Sequence, residues 1–105
     1  MTSLKIFTRP NEGRFMNIVV SIHGIFYGNS VRKDLEIKMK DGATLEKLLR
    51  KVGKKVKVNL IFLINKMDSI PIILINGNRI DFPYGLNIEL KNLDEISILQ
   101  SLGGG

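Results

Sequence analysis

The chain has 105 residues, of which 44% are hydrophobic and 25% are charged, and this composition is typical of one compact soluble domain. It contains no cysteine, which excludes a disulfide scaffold, a thiolate metal site and a cysteine nucleophile. The 16 Lys and Arg residues against 10 Asp and Glu residues give a formal net charge of +6, which attracts anionic partners only mildly.

We expect no targeting signal in the N-terminal residues. No apolar run approaches the roughly 18 residues that a membrane-spanning helix needs, and no secretory cleavage site follows the first residues. We therefore expect a cytoplasmic protein without membrane contact. Residues 1–15 are predicted to form a poorly ordered extension, or to be an upstream start before Met16. Pro10 and Gly13 interrupt the amphipathic helix that a mitochondrial presequence would need, so we do not expect one. Residues 16–105 are predicted to form the folded domain.

The domain is predicted to begin with two strands and a loose connecting loop. Met16–Ile22 is apolar and β-branched, and apolar residues alternate with charged ones from Leu35 to Lys40. Gly24, Gly28 and Ser30 supply turn residues between the two strands.

A helix is predicted after the second strand. Thr44 is a suitable N-cap and Glu46 lies in the first turn, where the helix dipole favours a carboxylate. Gly53 is predicted to end the helix. Four apolar residues at helical spacing indicate the face that is buried: Leu45, Leu48, Leu49 and Val52.

The second half of the domain is predicted to contain a crossover and more strands. Residues 56–67 fit either a strand or a short helix, and we favour a short helix or an irregular crossover. Ile72–Ile75 is predicted to be a buried strand that turns at Asn76-Gly77, and Ile96–Leu99 is predicted to be the last strand. Alternation of apolar residues over Leu86–Leu90 predicts a further strand.

These elements predict an α+β roll, with a mixed sheet of four to five strands and one main helix packed on one face. A domain of this size leaves little room for a deep active-site cavity. His23 stands in no recognisable nucleophile motif, and the adjacent Asp94 and Glu95 are interpreted as a turn and not as a metal pair. We therefore predict no catalytic residues, no bound metal or cofactor, and a non-enzymatic protein.

The most basic segment lies at the C-terminal end of the predicted helix. No aromatic residue is interleaved with its cations, so we expect a solvated face or a docking patch for an acidic protein in preference to RNA. The five cations of this segment are Arg50, Lys51, Lys54, Lys55 and Lys57.

The glycine-rich composition of residues 101–105 predicts a flexible C-terminal tail. Gly103, Gly104 and Gly105 carry no Cβ, so such a tail can thread a channel too narrow for side chains, and Leu102 is its one apolar anchor. The terminal carboxylate is ionised at neutral pH and is the one reactive group that the tail delivers.

The chain from Met16 to Gly105 resembles the ubiquitin-like β-grasp sulfur carriers. That family includes the small subunit of molybdopterin synthase (MoaD) and the sulfur carrier of thiamine synthesis (ThiS). In this sequence the turn before the last strand lacks the glycine usual in the family. The segments that carry the resemblance are Gly42-Ala43-Thr44-Leu45, Ile73–Ile80, Leu93–Leu99 and the terminal Gly104-Gly105.

The resemblance implies a function for the tail. An activating enzyme of the ubiquitin-activating type would use ATP to adenylate Gly105, and a persulfide would then convert the adenylate to a thiocarboxylate. Gly103 and Gly104 would line the partner's channel, while Leu102 and apolar residues of the sheet would dock the partner. A synthase subunit would accept the sulfur, in molybdopterin synthesis, thiamine synthesis or tRNA thiolation. The alternatives are a protein modifier conjugated through Gly105 and a non-covalent β-grasp binding module.

Overall fold

The computed structural model of the chain describes residues 14–26, 28–65 and 71–100. Its first two strands, β1 (Phe15–Phe26) and β2 (Asn29–Lys40), pair antiparallel along their whole length, from Phe15 opposite Lys40 to Phe26 opposite Asn29. The loose loop predicted between them is therefore wrong. The strands continue to a tight turn, where Gly28 supplies a φ of +80° that other residues rarely adopt.

Three shorter strands complete the sheet: β3 (Ile72–Ile75), β4 (Asn78–Arg79) and β5 (Glu95–Leu99). The strand order is β2-β1-β5-β3-β4, with β5 parallel to β1 and antiparallel to β3. The Asn76-Gly77 turn between β3 and β4 is confirmed. Both of its residues have positive φ, 50° and 85°, as a type I′ hairpin turn requires.

The main helix, α1 (Leu45–Val56), begins at the predicted N-cap, because the Thr44 hydroxyl accepts a hydrogen bond from the Lys47 amide. Its predicted apolar face is buried. The predicted end at Gly53 is wrong, since the helix continues to Val56 and Lys57 takes the left-handed cap conformation with a φ of 62°. A second helix, α2 (Leu60–Asn65), confirms the short helix that we favoured in the crossover.

Gly53 has no room for a side chain, because the backbone at Val58 approaches it closely. A Cβ built on Gly53 would lie 2.4 Å from the carbonyl oxygen of Val58, in the segment that folds back against α1. The amide of Val58 donates to the carbonyl of Gly53 at 2.9 Å, so this contact also closes the end of the helix. The glycine thus permits the turn from α1 to α2 and does not terminate α1 itself.

The strand predicted over Leu86–Leu90 is also wrong. A 3₁₀ helix occupies Tyr84–Asn87, and the residues after it make an isolated bridge between Glu89 and Thr44. The segment crosses the start of α1, where the Ile88 carbonyl accepts from the Leu45 amide at 2.9 Å. Of the alternating residues, Leu90 is buried and Leu86 is partly buried against the core, whereas Ile88 is 38% exposed.

The helices cover one face of the sheet and enclose the core. Its fully buried large side chains come from α1, α2, β1, β2, β3 and β5, and include Phe26, Leu48, Leu60 and Ile98. A mixed five-stranded sheet with one main helix on one face is the ubiquitin-like β-grasp roll that the resemblance implies. Within the described residues, no helix is long and apolar enough to cross a membrane.

The turn before β5 contains a left-handed residue that is not glycine. Leu93 has a φ of 70° and a side chain with 64% of its surface exposed, and its amide donates to the Asn17 carbonyl at 2.7 Å. Leu93 thus adopts the backbone conformation that glycine adopts most readily, in the turn where the family usually has a glycine. A left-handed conformation costs a non-glycine residue roughly 1–2 kcal/mol.

We expect Gly53→Ala to destabilise the protein by about 1–3 kcal/mol, because the new methyl group meets the Val58 carbonyl. In an exposed helix interior the same change would stabilise by about 1 kcal/mol through helix propensity. Urea unfolding measures the difference, with Lys55→Ala on the exposed face as the control, expected to lie within about 0.5 kcal/mol of wild type. A stabilised Gly53→Ala variant would contradict the close approach.

We expect Leu93→Gly to stabilise the protein by about 0.5–1 kcal/mol, because the relief of left-handed strain exceeds the entropic cost of glycine. For a domain of this size 1 kcal/mol raises the Tm by roughly 4–8 °C, so thermal unfolding measures the change. Asn76→Gly is the matched comparison. It is expected to destabilise by about 1–2 kcal/mol, since the Asn76 side chain bonds both Asp94 and the Glu95 amide at 2.9 Å.

Candidate functional site

The face of the sheet turned away from the helices is uncovered in the described structure, and we call it the open face. Alternate residues of β1, including Ile18, Val20 and Ile22, are buried beneath the helices. The residues between them lie on the open face because successive side chains of a strand point to opposite sides. The strand register therefore shows which residues of different strands are neighbours there.

One row of the open face crosses the sheet at the end of β5. His23 of β1 lies opposite Leu99 of β5, and Leu99 lies opposite Ile72 of β3. Leu99 and Ile72 are half-buried, and Ile25, beyond His23 on β1, is 41% exposed. The open face thus presents apolar side chains close to the point where β5 ends. The docking role that the resemblance implies for apolar residues of the sheet stays a prediction for this surface.

The C-terminal tail starts from the end of β5, and we call Gln100 the tail root. The Gln100 amide donates to the His23 carbonyl at 3.1 Å, which extends the parallel pairing by one residue. A Cβ on Gly24 would lie 2.7 Å from both the Cβ and the carbonyl oxygen of Gln100. Gly24 also has a φ of +149°. The glycine therefore allows the tail root to lie directly against β1.

A shallow cleft of about 310 Å³ adjoins the tail root. Its lining includes His23, Gly24 and Gln100, together with Val31 and Arg32 of β2. Arg32 is the cation that β2 places opposite His23 in the sheet register. The tail root is thus flanked by a positive charge on one side and by the apolar row on the other.

His23 has a serine and an acid within reach, but not in the geometry of a nucleophile. Its Nε2 lies 3.4 Å from the Ser21 hydroxyl and 3.8 Å from Asp34 Oδ1. In a catalytic triad the acid holds one ring nitrogen while the serine faces the other. Here both groups approach the same nitrogen, so the arrangement cannot activate Ser21 in that way. The imidazole side chain is 38% exposed.

Asp94 is engaged in holding the turn before β5. Its carboxylate accepts from the Lys91 amide at 2.8 Å and from the Asn76 side chain at 2.9 Å. The turn interpretation therefore holds for Asp94, whereas it is wrong for Glu95, which is the first residue of β5 and pairs with Val19. Over the described ranges no group of three or more histidines and acids could hold a metal ion.

The five cations predicted as a docking patch do not form one surface. Arg50 pairs with Glu46 at 2.7 Å, and the Lys51 ammonium donates to the Lys38 carbonyl of the sheet edge at 2.8 Å. Lys55 is exposed and lines neither of the clefts at this end of α1. The remaining two, Lys54 and Lys57, lie with Arg50 around a groove between α1 and α2.

The residues that the sequence places at the centre of function are outside the described residues. They are Leu102, Gly103, Gly104 and Gly105, and their roles stay predictions. The position of Gly24 within β1 differs from the loop that its sequence context predicts. The apolar alternation of β1 continues beyond Ile22 to the buried Phe26, and this signal could have extended the strand through Gly24.

We expect Gly24→Ala to destabilise the protein by about 1–3 kcal/mol more than Gly28→Ala, because only the first methyl group collides with the backbone of Gln100. Gly28 is the matched control, since it also has positive φ but no atom lies within 4 Å of the position that a Cβ would take there. Urea unfolding gives the energies, and hydrogen exchange of the Gln100 amide reports the local displacement. Equal effects of the two substitutions would contradict the close contact at the tail root.

Comparison with known proteins identifies the family. The model of the ThiS family matches residues 25–105, which include the end of β1 and all later elements. No curated protein sequence matches the chain. The solution structure of the Haloferax volcanii HVO 2177 protein is similar in fold, with a TM-score of 0.63 and 16% sequence identity over 99% of this chain and 100% of that chain. The chain therefore belongs to the ThiS family and is a small β-grasp protein of the sulfur-carrier type.

Proposed function

We propose that the protein carries sulfur as a thiocarboxylate on Gly105. An adenylating enzyme of the ubiquitin-activating type binds ATP and activates the tail, and a synthase subunit accepts the sulfur. The protein itself acts as a co-substrate and supplies neither a catalytic residue nor a cofactor. It serves cofactor biosynthesis, of molybdopterin or thiamine, or tRNA thiolation.

The geometry of the tail root is the observation that carries this proposal. β5 is hydrogen-bonded to a strand on each side, and Gln100 is fixed against Gly24 of β1. The chain therefore continues towards Gly105 from a rigid part of the sheet, beside an apolar surface. Five extended residues reach roughly 16 Å, enough to enter an active site while the sheet stays docked outside it.

The chemistry explains why a carrier needs a partner enzyme. A carboxylate oxygen of Gly105 attacks the α-phosphate of ATP, which forms an acyl phosphate anhydride and releases pyrophosphate. The terminal sulfur of an enzyme persulfide then attacks the glycyl carbonyl and AMP leaves. A second thiol breaks the sulfur–sulfur bond, so that a disulfide remains on the enzyme side and a thiocarboxylate on Gly105. Because this chain has no cysteine thiol, the transferred sulfur is carried on the carboxyl group of Gly105 and not on a side chain.

Docking of the activating enzyme is assigned to the open face. Leu99 and Ile72 lie in the row that crosses the sheet beside the tail root. Ile25 lies beyond this row on β1. Burial of these partly exposed side chains favours association by about 25 cal/mol for each Å² of apolar surface removed from water. Leu102 would continue this contact into the enzyme's channel.

We expect ATP–pyrophosphate exchange by the activating enzyme to require the tail and the open face. A chain shortened by Gly104 and Gly105 should give no exchange. Leu99→Asp should raise the carrier concentration needed for half-maximal exchange at least tenfold, equivalent to about 1.4 kcal/mol of lost binding. Lys55→Asp, on the helical side, is the control and should leave exchange unchanged.

Mass spectrometry of the intact protein tests the product. Incubation with ATP, the activating enzyme and a persulfide donor should add about 16 Da, the difference between oxygen and sulfur. Covalent conjugates to lysines, seen as a ladder on a blot, would instead support a protein modifier. Exchange that persists after removal of Gly104 and Gly105 would contradict both forms of tail chemistry.

A further inference from the structure

The groove between α1 and α2 lies on the opposite side of the sheet from the open face. It has a volume of about 420 Å³ and is separate from the tail root. Its floor includes Leu49 and Gly53 of α1 and Ile61 of α2, all of which are buried or nearly so. We call it the α1–α2 groove. Its volume is within the range of pockets that hold a small ligand or a few side chains.

The rim of the α1–α2 groove is positively charged. Arg50, Lys54 and Lys57 line it, and no acidic side chain of the described chain does. Glu46 partly neutralises Arg50, whereas no ion pair joins Lys54 or Lys57 to an acid among the described residues. An occupant that brings carboxylates would therefore find cations whose charge is not yet balanced.

A neighbouring cleft continues the positive surface towards β2. It has a volume of about 620 Å³ and shares Lys57 and Val58 with the α1–α2 groove. Lys33 of β2, opposite the buried Ile22 in the register, adds a cation to its lining, which contains no acid within the described ranges. Arg32 lines this cleft and the tail-root cleft alike and is not counted as part of the α1–α2 surface. Together the two clefts form a continuous basic surface around Lys57, long enough for several residues of an extended segment.

The groove suits a peptide better than a nucleic acid. Single-stranded nucleic acid binds by stacking its bases on aromatic side chains, and no described aromatic side chain lines the α1–α2 groove. Its apolar floor between cations matches a segment in which an apolar side chain is flanked by carboxylates. The floor would hold the apolar side chain while Lys54 and Lys57 pair with the acids.

We propose that the α1–α2 groove docks a short acidic segment of a partner protein, with one apolar side chain on its floor and carboxylates on Arg50, Lys54 and Lys57. The open face and the tail root lie on the other side of the sheet. A partner held in the α1–α2 groove therefore stays bound while a different protein engages the tail. This docking does not depend on the chemistry proposed for Gly105.

Fluorescence anisotropy with a labelled synthetic peptide, in which leucines alternate with pairs of glutamates, tests the proposal at physiological salt. The peptide should bind, and the double substitution Lys54→Glu and Lys57→Glu should weaken binding at least tenfold. The matched charge reversal, Lys40→Glu with Arg79→Glu, should change binding less than twofold. Both double variants replace exposed side chains and carry the same net charge.

Two further probes identify the occupant. Polyglutamate of equal charge and single-stranded RNA of equal charge should both bind at least tenfold more weakly than the leucine-containing peptide. ATP–pyrophosphate exchange of the Lys54→Glu, Lys57→Glu variant should match wild type, which separates this surface from the tail chemistry. Absent peptide binding, equally tight RNA or polyglutamate binding, or equal loss in both double variants would overturn the proposal.

Discussion

The pairing of β5 between β1 and β3 is the constraint on which the functional geometry depends. All five residues of β5 pair with β1, and its last four also pair with β3, while Ile96 and Ile98 are buried beneath the helices. A strand held on both edges and on one face cannot shift register without exposing those isoleucines. Gln100 is therefore placed by the whole sheet, although the segment that follows it is rich in glycine.

Local signals in the sequence predict most of the fold. The Thr44 cap, the apolar stripe of α1 and the Asn76-Gly77 turn depend on residues within a few positions of one another, and each is found as predicted. The two misassigned glycines depend on distant contacts. Gly24 is explained by Gln100, and Gly53 by the carbonyl of Val58. A glycine in a sequence shows that a side chain is absent, but only the structure shows which atoms use the space.

The candidate site also combines features that the local sequence predicts with features that depend on distant contacts. The role proposed for the tail rests on the family resemblance and on the terminal glycines, which are both features of the sequence alone. The surface beside it depends on strand register, which places Leu99 next to His23 and Ile72 although the sequence separates them widely. The same holds for the basic run at the end of α1. Helical geometry and the fold of α2 distribute its cations between the sheet edge, solvent and the α1–α2 groove.

The parallel direction of β1 and β5 separates the start of β1 from the tail root. Because the strands are parallel, Phe15 and Leu99 are at opposite ends of the sheet. Eight residues separate Phe15 from His23, the partner of Leu99, which at about 3.3 Å per residue is roughly 26 Å. A fusion, a tag or a tether joined directly to the start of β1 therefore leaves the sheet a full strand length from Gln100. The molecule can be anchored at one end while the other remains accessible to an enzyme.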